Sequence, residues 1–106
     1  MKIKTQDLTG EALDLAVAEC VGLNLYVARL QRFSPSTNWA QGGPIIEREE
    51  IFLAKSILGG WTGSIMTHDE RVRCTMHEGP TPLIAAMRCY VASKLGEELD
   101  IPEELV

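Results

Sequence analysis

Apolar and polar positions along this chain change period several times, and each change marks a predicted element. Across residues 9–21, Leu13, Ala16, Val17 and Cys20 fall on one face at helical spacing while Glu11 and Asp14 fall elsewhere, so the stretch predicts a helix. Thr9 stands at the cap position, Leu8 and Leu13 are placed to staple the first turn, and Gly22 can close the end. Residues 23–30 place Leu23, Leu25 and Val27 at period two and predict a strand. From residue 51 the period is two again. Ile51 to Leu58 predicts one strand, Gly59-Gly60 a two-residue hairpin turn, Trp61 to Met66 a second strand, and Thr67 to Glu70 another turn. Arg71 to Met76 alternates most cleanly, with Val72, Cys74 and Met76 expected inward and Arg71, Arg73 and Thr75 outward.

Residues 82–95 predict a second main helix, with Thr81 as cap, Pro82 at the first helical position and Gly96 at the end. It is apolar nearly all round and must be covered on more than one side. Leu83, Met87, Val91 and Leu95 are expected to face the sheet. Ala85, Cys89, Ala92 and Gly96 form a small-residue stripe suited to close approach by the 9–21 helix or by a second copy in a homodimer. Together these predict an α+β fold: two main helices packed on an antiparallel sheet of about four strands, in a compact sandwich.

One segment breaks the pattern. Residues 31–44 hold two prolines, two adjacent glycines and a lone tryptophan, and predict a long connection of a kind that often carries function. Ile45 to Glu50 fits either one helical turn begun by Pro44 or the start of a strand. Ser36, Thr37, Asn38 and Gln41 offer polar groups, Trp39 a stacking face, and Gly42 and Gly43 let backbone amides approach a ligand. Glu47 and Arg48 follow closely. These nine residues are the candidate site for a small polar, nucleotide-like ligand. Alternatively, Pro35-Ser36-Thr37 caps a short turn and Trp39 fills the core.

Composition narrows the function classes. The 106 residues suit one domain, with apolar residues at 45% and charged residues at 24%. Acidic and basic side chains balance through residue 94. The net charge of −5 comes from Glu97, Glu98, Asp100, Glu103 and Glu104, so residues 1–96 read as the domain and 97–106 as an acidic, solvated tail. No basic stripe with interleaved aromatics occurs, and nucleic acid is not an expected partner. No apolar run approaches the ~20 residues of a membrane span, and the N-terminus lacks a signal-peptide core, so a cytoplasmic location is expected. Cys20, Cys74 and Cys89 are odd in number and read as free thiols.

Metal binding by His68, Cys74 and His77, with Asp69, is disfavoured because residues 74 and 77 point to opposite strand faces. No metal or cofactor is expected. No set of catalytic roles is legible, neither a nucleophile with its base nor a phosphate-binding loop, so a non-enzymatic protein is expected. An enzyme with a site assembled from dispersed residues is the remaining alternative.

Two stretches, Phe33 through Glu49 and Gly79 through Gly96, resemble the NinX-like proteins of lambdoid and related bacteriophages. The opening, Met1 to Thr5 and on through Ala12-Leu13-Asp14, is similar as well. The resemblance covers over half the chain and leaves out Ile51 to Met76. Asn38 stands where many relatives carry aspartate. The resemblance implies a phage or prophage origin, the host bacterial cytoplasm as location, a compact α/β sandwich and no established reaction. The expected function is that of a non-enzymatic accessory protein acting on a host macromolecule, with host takeover or defence as its setting. Host protein, self-association and a small polar ligand are the candidate partners.

Overall fold

The computed structural model describes residues 1–68 and 72–103, with residues 67, 68, 72 and 73 described by their backbone alone. In chain order the elements are β1 (Lys2–Lys4), a 3-10 turn (Thr5–Asp7), α1 (Gly10–Cys20), α2 (Leu25–Leu30), α3 (Trp39–Glu49), β2 (Phe52–Lys55), β3 (Trp61–His68), β4 (Val72–Gly79), α4 (Pro82–Leu95) and β5 (Glu98–Asp100). The class is α+β, as expected. The strands divide into an antiparallel sheet ordered β2-β3-β4 and a separate antiparallel pair, β1-β5.

The two predicted main helices form where the pattern places them. Thr9 occupies the cap position of α1, although its hydroxyl makes no capping bond. Gly22 ends the helix at φ 79°. The Leu23 amide donates to the Ala18 carbonyl at 2.8 Å and the Gly22 amide to the Glu19 carbonyl at 3.2 Å, which is a Schellman closure. In α4 the Thr81 hydroxyl accepts from the Ile84 amide at 3.1 Å, and Pro82 opens the first turn.

Residues 23–30 do not form a strand. The Asn24 side chain accepts from the Tyr26 and Val27 amides and starts α2, which buries Ala28 against Leu15 and Ala18 of α1. A capped turn followed by Ala-Arg-Leu outweighs a three-position alternation, because the cap satisfies amides that a lone strand would leave unpaired.

Residues 39–49 are likewise helical, so the long connection is only half as long as expected. Pro44 is the sixth residue of α3 and not its start. Glycines at 42 and 43 are costly in a helix, but Gly42 is needed. A Cβ there would collide with the Pro35 carbonyl oxygen and lie 2.6 Å from Leu83 Cδ2. Without a side chain, α3 can press against α4.

The hairpin also differs. Lys55 pairs with Trp61, so the connection is the five residues Ser56–Gly60, and Ile57 and Leu58 stand exposed at its tip. The β3–β4 ladder extends as far as His68 paired with Val72, beyond the expected end of the second strand. Of the turn expected at Thr67 to Glu70, Asp69 and Glu70 lie outside the described residues.

The inner face of the sheet carries Leu53, Gly63, Ile65, His77 and Gly79, so β4 is turned over relative to expectation: Cys74 and Met76 point outward. The reason lies in α4. A Cβ on Gly63 would sit 2.9 Å from the Ala85 carbonyl oxygen, and one on Gly79 would sit 2.6 Å from the Ala85 amide nitrogen. The Cys89 thiol reaches the Thr75 carbonyl at 3.1 Å. The small-residue stripe of α4 therefore lies on the sheet, and Leu83, from the large stripe, meets α3. Three of the four residues offered for a homodimer, Ala85, Cys89 and Ala92, are buried within this chain.

The acidic stretch that starts at Glu97 is partly structural. β5 pairs Glu98 with Lys4 and Asp100 with Lys2, the Thr5 amide donates to the Glu97 carbonyl at 2.7 Å, and Ile101 is buried. Gln6 ties this end to the main sheet. Its Oε1 accepts from the Glu78 amide and its Nε2 donates to the Glu78 carbonyl, as a neighbouring strand would.

Candidate functional site

The nine candidate residues lie in sequence within thirteen positions, but the fold spreads them over one turn and three helical turns. Ser34 through Thr37 form a tight turn in which the Thr37 and Asn38 amides donate to the Ser34 carbonyl. Gln41 closes it, its side-chain oxygen accepting from the Ser34 amide. Asn38 caps α3, its side-chain oxygen accepting from the Ala40 amide at 2.9 Å. Asparagine is among the residues that most often supply such an acceptor at a helix start.

Trp39 does not fill the core. It is 56% exposed on the first turn of α3. Gly42 is buried in helix packing, while Gly43 and Glu47 lie toward the surface. Arg48 bonds Glu49 at 3.0 Å and approaches the Tyr90 hydroxyl at 3.4 Å. Thr37 lines one cleft and Arg48 another, so the nine residues do not converge on one cavity.

The first cleft, of about 700 Å³, opens between the start of α1, α2 and the Ser34–Thr37 turn. Its floor includes Asp14, which is 8% exposed and accepts from the Ser36 amide at 2.9 Å. Burial raises the Asp14 pKa above the ordinary carboxylate value, while the Ser36 hydroxyl and amide offset part of the rise. The Ser36 hydroxyl, 1% exposed, lies near Asp14 without a hydrogen bond of good geometry. Phe33 forms an apolar wall. At the rim Arg29 pairs with Glu11 at 3.0 Å, while Arg32 pairs with no carboxylate among the described residues. Asp14 was legible in the sequence as an acidic residue off the main apolar face of its helix. Its partnership with Ser36, 22 positions away, carried no signal.

The second feature is the outer face of the sheet. The register sets Phe52, Ser64 and Met76 side by side, with Met66 and Cys74 paired beyond them. Phe52 is 70% exposed, Met66 56% and Met76 61%. The side cleft lined by Arg48, Glu49, Glu50 and Cys74 borders this face with charge.

The remaining chemistry is held in the interior. Burial pushes the Cys20 thiol up to about 11 and the Cys89 thiol up to about 12, which makes both poor nucleophiles at neutral pH. His77 is buried on the inner sheet face. Its Nδ1 lies 2.7 Å from Gln6 Oε1, and its Nε2 faces the Glu97 carboxylate at 2.8 Å without hydrogen-bond alignment. His77 therefore points away from exposed Cys74. The His68 side chain and Asp69 lie outside the described residues. Among the described residues, no three histidine, cysteine or acidic side chains cluster to hold a metal ion. No described helix is long and apolar enough to cross a membrane.

Comparison with known proteins adds a family. The model of the family described as Bacteriophage P22, NinX, matches residues 24–94. The match runs through the 51–76 region that the motif resemblance left out, and it excludes the opening residues that the resemblance included. No curated protein matches the chain.

Proposed function

The chain belongs to the phage P22 NinX family, and from that premise we propose that this phage accessory protein acts without catalysis, by binding a host protein through the outer face of its three-stranded sheet. The observation that carries the reading is the set Phe52, Met66, Cys74 and Met76, gathered around Ser64 by the register and left exposed. Antiparallel sheets commonly turn one face to water, but that face is then polar. An exposed apolar patch with a charged border has the anatomy of a protein interface. Methionine suits such a surface because its flexible thioether adapts to the shape of a partner. The occupant that fits is a host protein presenting an apolar patch of its own. The host bacterial cytoplasm is the compartment in which the two would meet.

The test is affinity purification from bacteria expressing the wild-type protein or the Phe52→Asp, Met76→Asp double variant. Both side chains are exposed, so the variant keeps its fold, which circular dichroism and thermal melting verify. The reading predicts a host protein that crosslinks to this face and is lost with the double variant. Equal recovery by both proteins sinks it. So does a wild-type dimer that the double variant turns monomeric, since the face would then serve a second copy.

A further inference from the structure

The cleft beside Asp14 has a feature that packing alone does not explain. Asp14 is nine-tenths buried, yet no cation pairs with it among the described residues, and only Ser36 faces it, through its amide at 2.9 Å and its nearby hydroxyl. A nearly buried carboxylate without a counter-ion costs free energy. Asparagine would hold the Ser36 amide without that cost. The carboxylate borders an open volume of about 700 Å³, within the usual range for small-molecule sites. At the rim stand the guanidinium of Arg32, with no carboxylate partner among the described residues, and the exposed hydroxyl residue Thr37. Phe33 adds an apolar side chain to the lining. A buried acceptor, an exposed cation and an apolar side chain in one cleft define the complement of one kind of ligand.

We propose that this cleft binds a small ligand with N–H donors at one end and an anionic group at the other, the pattern of a purine nucleoside monophosphate. Guanine fits the floor best, because its adjacent ring and exocyclic N–H groups can both donate to one carboxylate. The phosphate then lies toward Arg32, and the Phe33 ring borders the base. The site is distinct from the sheet face, so the two readings stand or fall separately. Of the nine residues singled out in the sequence, only Thr37 lines it. Asp14, Arg32 and Phe33 do the recognition.

Isothermal titration and thermal melting with guanosine monophosphate, adenosine monophosphate, guanosine and inorganic phosphate test the assignment. Guanosine monophosphate is expected to bind one site saturably and to raise Tm, more strongly than the other three. Losing a charge-assisted hydrogen bond typically weakens binding about tenfold or more. Arg32→Ala is therefore expected to weaken the monophosphate by about that factor and leave guanosine unchanged. Asp14→Asn weakens both. Thr37→Trp, a change at an exposed rim position, blocks the mouth and abolishes binding whether or not the floor is altered. No heat and no Tm shift with any probe overturns the proposal. So does adenosine monophosphate binding as tightly as its guanine counterpart, or binding that survives both Asp14→Asn and Thr37→Trp.

Discussion

Glu50 and Arg32 hold left-handed backbone, at φ 53° and 52°, where glycine is the usual occupant. Each closes a helix as Gly22 does. The Ile51 amide donates to the Ile46 carbonyl past Glu50, and the Phe33 amide donates to the Ala28 carbonyl past Arg32. A side chain with a Cβ pays a steric cost in this region. Glu50→Gly is expected to stabilise the protein by about 0.5–1 kcal/mol, after the extra chain entropy of glycine is deducted. Urea unfolding measures it, and a loss of stability would contradict the account. Gly42→Ala has the opposite sign, because its Cβ meets the Pro35 carbonyl, which is backbone and cannot rotate away. A cost of about 1–3 kcal/mol is expected in the same assay.

Asp14 adds a pH signature. Its folded pKa is raised by burial above the unfolded value of 3.8, so the folded state binds the proton more tightly. Between those two values stability falls as pH rises, and above the folded pKa the penalty is full. Asp14→Asn removes the penalty and retains the acceptor for the Ser36 amide. The Tm of the variant relative to wild type is therefore expected to be highest at neutral pH and to shrink as pH falls toward 3.8. A difference independent of pH would show that the carboxylate carries no such penalty.

Among the elements, β4 best separates pattern from packing. Alternation correctly identifies a strand there, but not which of its faces meets the core. Val72, Cys74 and Met76 are the more apolar set, yet the face that α4 covers is Thr75, His77 and Gly79. The helix backbone approaches so closely that Gly79 is required, and hydrophobicity yields to the available space. The orientation is checkable with a thiol reagent under native conditions. Cys74 is expected to react promptly, while Cys89, buried with its pKa near 12, reacts only on unfolding. Protection of both would place Cys74 inside. Helices α2 and α3 escaped the sequence pattern for a related reason. Their ends carry arginine and glutamate where a stop signal would be glycine, and α3 contains Gly42, Gly43 and Pro44, which ordinarily mark a loop.

For the whole molecule, the two termini act as one unit. The Met1 amino group pairs with Asp100 at 3.0 Å, the Ile101 amide donates to the Met1 carbonyl, and the Thr5 hydroxyl donates to the Gly96 carbonyl at 2.6 Å. Residues 97–101, which read by charge as part of a solvated tail, thus pair with the start of the chain. Truncation after Gly96 is expected to cost at least about 2 kcal/mol, since burying an isoleucine side chain is alone worth ~1.5–3 kcal/mol. An unchanged urea midpoint would return the segment to the role of a free tail. The small-residue stripe likewise changes meaning at this level. It allows close approach, as its composition implies, but the sheet of the same chain is what approaches.

Local chemistry in the sequence is enough to specify the α+β class, helices α1 and α4, the hairpin strands and the family motifs. Periodicity, Thr81-Pro82 and Gly22 act over a few neighbouring residues, and nothing distant overrides them. The face of β4 that is buried, the helical state of residues 39–49, the exposure of Trp39 and the cleft at Asp14 were decided only by the tertiary structure. Each depends on backbone approach between segments far apart in the chain: Gly42 on Pro35 and Leu83, Gly63 and Gly79 on Ala85, Asp14 on Ser36. Such contacts leave single glycines or single carboxylates in the sequence, and a single residue has no period from which its partner can be read.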